Sequence, residues 1–256
     1  VDVTVPAVTI NTIAGDDVIN VAEHSQAHVI SGTATGAAAG DKVTVTIGGQ
    51  TYTTVLDAAG NWSVGVPASV ISGLSDGTVT VTASVTDAAG NTGTGSHNVT
   101  VDTGLPSVSF NAISDDNVLN AVEKGQDLSV SGTSANLAEG TVVTVTLNGK
   151  NYTATTAADG TWSLTVPAAD LAGLGEANYT LSASATNGVG NSVSNTANLL
   201  VDTALPTVTI NTVAGDNVIN AAEVAAGQTL SGKVANAEAG NTVTVTIGGN
   251  TYTATV

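Results

Sequence analysis

The chain contains no cysteine, no methionine and no arginine, and its basic side chains are four lysines, Lys42, Lys124, Lys150 and Lys233, set against 21 acids. Without cysteine there is no disulfide framework, no thiolate metal site and no thiol nucleophile. Nucleic-acid binding needs a cationic footprint that displaces counterions from phosphates, and a net charge of -17 excludes one. Aromatic residues are 3% of the chain, too few for an aromatic binding cluster in the loops. No window approaches the roughly 18 uninterrupted apolar residues of a membrane helix, so insertion of this segment into a membrane is not expected. Val1 begins mid-pattern with no basic segment of a signal peptide before it, and the sequence reads as an excerpt of something longer. What the chain does have is 42% hydrophobic residues and a positive mean hydropathy, enough apolar side chain to build cores despite the charge.

Internal comparison gives a repeat of 100 residues. Val1-Asp2 recurs at Val101-Asp102 and Val201-Asp202, and the same shift superimposes Pro6, Pro106 and Pro206, then Asn20, Asn120 and Asn220. Ser31-Gly32 and Tyr52 recur in both later copies, and Gly60-x-Trp62, Pro67 and Gly90-Asn91 recur in the second. The predicted domains are 1–101, 102–201 and 202–256, the third stopping a little past its Tyr with about half a sandwich present.

Each copy reads as strands. Val43 to Ile47, Val143 to Leu147 and Val243 to Ile247 alternate apolar residues with Thr, a period of two that separates a core face from a wet face. Helical periodicity is absent, and Gly48-Gly49, Asn148-Gly149 and Asp57-Ala-Ala-Gly-Asn61 mark turns at hairpin spacing. Seven strands are predicted in the first copy, at 7–13, 27–34, 42–47, 51–56, 62–66, 78–86 and 95–101. The fold class is all-β: tandem immunoglobulin-like seven-stranded β-sandwiches set end to end as a rod. Trp62 and Trp162, one per copy at a strand start, are assigned to the core, and the Tyr52 set is expected to pack with a wet hydroxyl.

Catalytic patterns are missing. His24, His28 and His97 have no counterparts in the other copies, which argues against a repeated triad or metal site and assigns them to the surface. No enzyme is expected. What recurs is an acidic loop: Gly15-Asp-Asp-Val-Ile-Asn-Val-Ala-Glu23, Ser114-Asp-Asp-Asn-Val-Leu-Asn-Ala-Val-Glu123 and Gly215-Asp-Asn-Val-Ile-Asn-Ala-Ala-Glu223. Calcium takes about six to eight hard oxygens, and such a loop supplies several of them. Asx-rich loops also form turns with no ion at all. With seven antiparallel strands, the loop after the first strand shares one end of the module with the end of the last strand, which sets Asp102 beside Asp16, Asp17 and Glu23. The loop Asp87 to Asn91 falls at the other end, beside Asp2, and Asn187 of the second copy then meets the first junction. Three or four carboxylates gathered there repel one another unless a cation joins them. The candidate calcium ligands are Asp2, Asp16, Asp17, Asn20, Glu23, Asp87 and Asp102, with Asp115, Asp116, Asn120, Glu123, Asp202, Asp216, Asn220 and Glu223 in the later copies.

These residues carry a family resemblance. Val-Asp-Thr-x-Leu-Pro at 101–106 and 201–206, Gly-Asp-(Asp/Asn)-Val-Ile-Asn-x-Ala-Glu at 15–23 and 215–223, and Thr86-Asp-Ala-Ala-Gly-Asn91 resemble the bacterial immunoglobulin-like repeats of giant RTX adhesins of Gram-negative bacteria, the biofilm-associated, type I-secreted kind. The resemblance implies an extracellular extender on the cell surface. Calcium would sit in its junctions, neighbouring repeats would be its partners, and the adhesin's ligand would be bound elsewhere. A direct binding module for a glycan or host protein is the rival, and it should show a copy-specific insertion, which the constant spacing lacks.

Overall fold

The structure is a computed structural model that describes residues 2–256. The first sandwich is built from β1 (Ala7–Ile10), β2 (Val18–Asn20), β3 (His28–Thr35), β4 (Lys42–Ile47), β5 (Gln50–Val55), β6 (Asn61–Val66), β7 (Gly77–Thr86) and β8 (Thr92–Asp102). One sheet has the order β1-β3-β6 and the other β2-β8-β7-β4-β5. The seven predicted strands are present with shifted ends, and β2 is an eighth, inside the stretch whose sequence reads as an acidic loop. It pairs parallel to β8, Val18 to Thr100 and Asn20 to Asp102, so the sandwich is not wholly antiparallel. Three residues are too few for a period of two to register.

Alternation places the core. In β4 the residues Val43, Val45 and Ile47 are fully buried while the threonines between them face outward. Val81, Ala83 and Val85 of β7 and Val99 and Val101 of β8 complete that wall, and Ile30, Trp62 and Val66 close on it from the other sheet. Trp62 and Trp162 are buried, and Tyr52 packs half-buried against the core.

The chain from 107 to 201 repeats the plan with β9 (Ser107–Phe110), β10 (Val118–Leu119), β11 (Leu128–Ala135), β12 (Val142–Leu147), β13 (Lys150–Thr155), β14 (Thr161–Val166), β15 (Ala177–Thr186) and β16 (Ser192–Val201). The orders are β14-β11-β9 and β10-β16-β15-β12-β13. Among the described residues three short α-helices, α1 (Ala68–Ile71), α2 (Ala168–Leu171) and α3 (Ala221–Ala226), depart from the expectation of no helix. Pro67 and Pro167 precede the first two, single turns that each bury one residue, Ile71 or Leu171. One turn is too short to show a helical period.

By Cα packing the chain up to Asn111, with 130–164 and 180–197, forms one compact unit; 112–129, 165–179 and 198–256 form a second. Within the second unit, the third copy has two separate two-stranded antiparallel sheets, β17 (Thr207–Ile210) with β18 (Gly232–Ala235), and β19 (Thr242–Ile247) with β20 (Asn250–Thr255). Its core-type residues are open: Val208 is 55% exposed and Ile210 59%.

The two tryptophans differ in one bond. Trp162 Nε1 donates to Thr133 O at 3.2 Å and its ring meets Phe110 edge to face at 5.5 Å. Trp62 Nε1 is buried without an acceptor among the described residues. Losing a satisfied donor costs more than losing an orphaned one, so Trp162→Phe is expected to destabilise its sandwich by about 1 kcal/mol more than Trp62→Phe does. Hydrogen-exchange protection of β11 and β3 measures the difference.

Candidate functional site

The loop between β1 and β2 turns on left-handed residues, Ala14 at φ 57°, Gly15 at 101° and Asp17 at 63°. Its acids build it. Asp17 Oδ1 accepts from Ile13 N–H at 2.8 Å, and Asp16 Oδ1 accepts from Val18 N–H at 3.0 Å. Asp17 also pairs with His97 Nε2 at 2.7 Å, well along β8. The Ile13 N–H bond, opposed by partial burial and helped by His97, holds the Asp17 carboxyl below its ordinary value. Asp16 and Asp17 therefore shape the turn that precedes Asp102's partner strand, and Asp17 points its carboxylate at His97. The residue set beside Asp102 by the β2–β8 register is Asn20.

The histidines are half-buried rather than free on the surface. His24 Nε2 meets Leu74 O at 2.9 Å and His28 Nε2 meets Glu23 O at 2.9 Å. In the second sandwich Lys124 Nζ takes the place of His24 and donates to Leu174 O.

Asn20 and Glu23 form a reciprocal capping pair. Asn20 Oδ1 accepts from Ala22 N–H at 2.9 Å and Glu23 N–H at 3.2 Å, while Asn20 N–H donates to Glu23 Oε2 at 3.1 Å. Asn120 with Glu123, and Asn220 with Glu223 at the start of α3, do the same. The Asn-x-x-Glu recurrence thus has a local role as a capping box. Asp116 and Asp216 cap Val118 and Val218 N–H, while Asp115 is left-handed at φ 64°.

The linker is fastened by Asp102 itself and by residues outside the predicted set. Asp102 Oδ1 accepts from Gly104 N–H at 3.0 Å. Asp76 accepts from Thr103 Oγ1 at 2.8 Å and Thr103 N–H at 3.0 Å, and those two bonds hold its carboxyl below the usual range. Glu176 holds Thr203 in the same way ahead of the next linker, where Asp202 Oδ1 accepts from Ala204 N–H at 3.1 Å. Asn191, 2% exposed, reaches from the loop between β15 and β16: its Nδ2 donates to Asp102 O at 2.9 Å and Gly104 O at 3.2 Å, and its Oδ1 accepts from Val21 N–H at 2.8 Å. Asn187 Nδ2 adds a longer bond to Gly104 O at 3.4 Å. Of the predicted ligands, the first junction brings together Asn20, Glu23 and Asp102, and Asn187 of the second sandwich reaches the same linker. At the opposite end, Asp2 and Asp87 line one open cleft of about 500 Å³ with Asp41, and Asn91 Nδ2 donates to Asp2 O. The Gly190-Asn191 pair recurs in the sequence but reads as a turn, so only the structure exposes its reach.

Donor chemistry at the first junction is all oxygen and amide, which fits a hard cation. Among the described residues no three of His, Asp or Glu gather as a metal-holding group. The carboxylate residues that the structure ties to Asn20 are Glu23, which accepts from its N–H, and Asp102, its partner in the β2–β8 register. A cation held there would draw the rest of its shell from amide and backbone oxygens and water.

Paired sheets of this order, repeated along the chain, define a tandem immunoglobulin-like protein. The bacterial Ig-like domain family matches residues 4–103 and 110–203, and the chain belongs to that family. It is similar, at 41% identity over 100% of its length with a TM-score of 0.55, to a Ca2+-stabilized adhesin that helps an Antarctic bacterium reach out and bind ice. It spans 64% of that chain. A second solved structure, from a 1.5-MDa bacterial ice-binding adhesin described for host cell surface retention, is 35% identical over 98% of this chain and 83% of that one, with a TM-score of 0.52. None of the curated proteins matches. Among the described residues no helix is long and apolar enough to cross a membrane.

Proposed function

We propose that this chain is an extender segment of a large bacterial surface adhesin. Repeats 1–101, 102–201 and 202–256 would stand in series and hold a ligand-binding region away from the cell. Its role is structural rather than catalytic, and its immediate partners are neighbouring repeats of the same protein. The observation that carries this reading is the first junction, where linker residues 102–104 are held from both sides by Asp76, Asn191 and Asn187. The resemblance to two adhesin structures above 30% identity supports it.

Calcium at the junctions belongs to the same reading. Asn20, Glu23 and Asp102 would hold it at the first, Asn120, Glu123 and Asp202 at the second, and Asp2 with Asp87 would serve the face ahead of the first sandwich. A bound divalent ion supplies positive charge that offsets the carboxylates and links the capped loop to the linker. The capping bond fixes one oxygen of Glu23 and the linker Gly104 N–H one of Asp102, which leaves each a second oxygen and little entropy to lose. Small-angle scattering is the test: calcium should give a stiff, extended particle, and chelator a shorter and more flexible one. An unchanged maximum dimension sinks calcium stiffening while leaving the extender role standing. Export by a type I route and a part in biofilm formation complete the proposal.

A further inference from the structure

The loops Asp87–Asn91 and Asn187–Asn191 close alike but spend their terminal amides differently. Both are closed by backbone bonds between their first and last residues, Asp87 N–H to Asn91 O and Asn187 N–H to Asn191 O. In the first sandwich Asp87 Oδ2 captures Asn91 Nδ2 at 2.8 Å, so much of that carboxamide is turned into its own loop. The second sandwich has Asn187 there, which offers its own amide donor to Gly104 O instead. Asn191 Nδ2 donates to Asp102 O at 2.9 Å, where Asn91 Nδ2 reaches the equivalent Asp2 O only at 3.3 Å, and it adds a bond to Gly104 O, while Oδ1 meets Val21 N–H, a group 170 residues away in sequence. A carboxamide can donate twice and accept, and each of those capacities is used here at 2% exposure.

We propose that Asn191 is the positioning residue of the first junction, a metal-independent clasp that joins the loop of the second sandwich to the β2 turn and linker of the first, with Asn187 as the residue that frees it. This rests on the sandwiches standing in series and does not rest on calcium. Gly190 fits the assignment, since a Cβ there would lie 3.2 Å from Asn20 Nδ2, so the loop approaches the capped turn closely. Asn91 is the internal control, because its amide bonds to Asp2 O and Asp87 Oδ2 and to nothing in the β2 turn that holds Val21.

Amide exchange at Val21, followed in the full chain with chelator present, tests the clasp. Asn191→Ala should speed it about tenfold, and Asn91→Ala should leave it unchanged. The backbone bonds that close the loop survive either change. Asn187→Asp places at 187 the side chain that the first sandwich already carries, so folding is preserved. It should draw the Asn191 carboxamide back into its loop and raise Val21 exchange at least about threefold. Unmoved Val21 exchange in folded Asn191→Ala or Asn187→Asp, or an equal rise in Asn91→Ala, overturns the clasp. Calcium titration of the same variants is a separate readout, so failure of the calcium reading is distinguished from failure of this one.

Discussion

Replacing Gly132 by alanine should cost the second sandwich more than about 3 kcal/mol and lower its melting temperature by about 15 °C or more. A Cβ at 132 would lie 1.8 Å from Ser109 O and 2.4 Å from Trp162 Cζ2. Neither neighbour can yield. Ser109 is paired with Thr133 in the β9–β11 ladder, and Trp162 is buried with its indole N–H bonded to Thr133 O. Gly32 meets the same obstacles in the first sandwich, Thr9 O at 2.0 Å and Trp62 Cζ2 at 2.5 Å, so Gly32→Ala should do the same there. Gly65 sets the contrast. It is exposed in β6 with nothing within 4 Å of its Cβ position, and Gly65→Ala should be neutral or stabilising by up to about 1 kcal/mol. Calorimetry of the three variants reads both signs at once. A Gly132→Ala chain that melts with the parent would mean β9 and β11 are not in contact around the tryptophan.

Those glycines were visible in the sequence as the recurrent Ser-Gly pair, and glycine inside a strand pattern marks a close backbone approach. The Val-Thr alternation and the single Trp per copy were equally readable, because a sheet with one buried face writes its period directly into the side chains. The junction was legible only in part. Asn-x-x-Glu stood out as a recurrence, yet its capping box is as sufficient a reason for that spacing as a cation is. Loop parity sets Asp17 at the junction, but parity fixes an end of the module and not the direction of a side chain. Its partner His97 is 80 residues away, and both change together in the second copy, to Asn117 and Ala197. Asn191 was hidden for a related reason: a Gly-Asn pair closes a turn whether or not its amide also reaches a neighbour. The exchange of Asp87 for Asn187 was legible as a departure from the pattern, and its consequence needed coordinates.

Charge removed without loss of shape separates capping from calcium. Glu123→Gln keeps an oxygen for Asn120 N–H, since glutamine serves a capping box as glutamate does. Asp202→Asn keeps an oxygen for Ala204 N–H. The double variant should therefore fold with the parent's stability in chelator. Calcium affinity depends on the carboxylate count of a site, so the loss of two charges should weaken binding at the second junction by about a hundredfold while the first, with Glu23 and Asp102 intact, binds as before. At a calcium level a hundredfold above the parent's Kd, the ion adds about 2.7 kcal/mol to the folded state, and the double variant should forfeit most of that at its own junction. Isothermal titration gives the affinities and thermal unfolding in calcium gives the stability. Equal weakening at both junctions would place the ion elsewhere, and undiminished binding would leave Asn120 and Glu123 with the capping role alone.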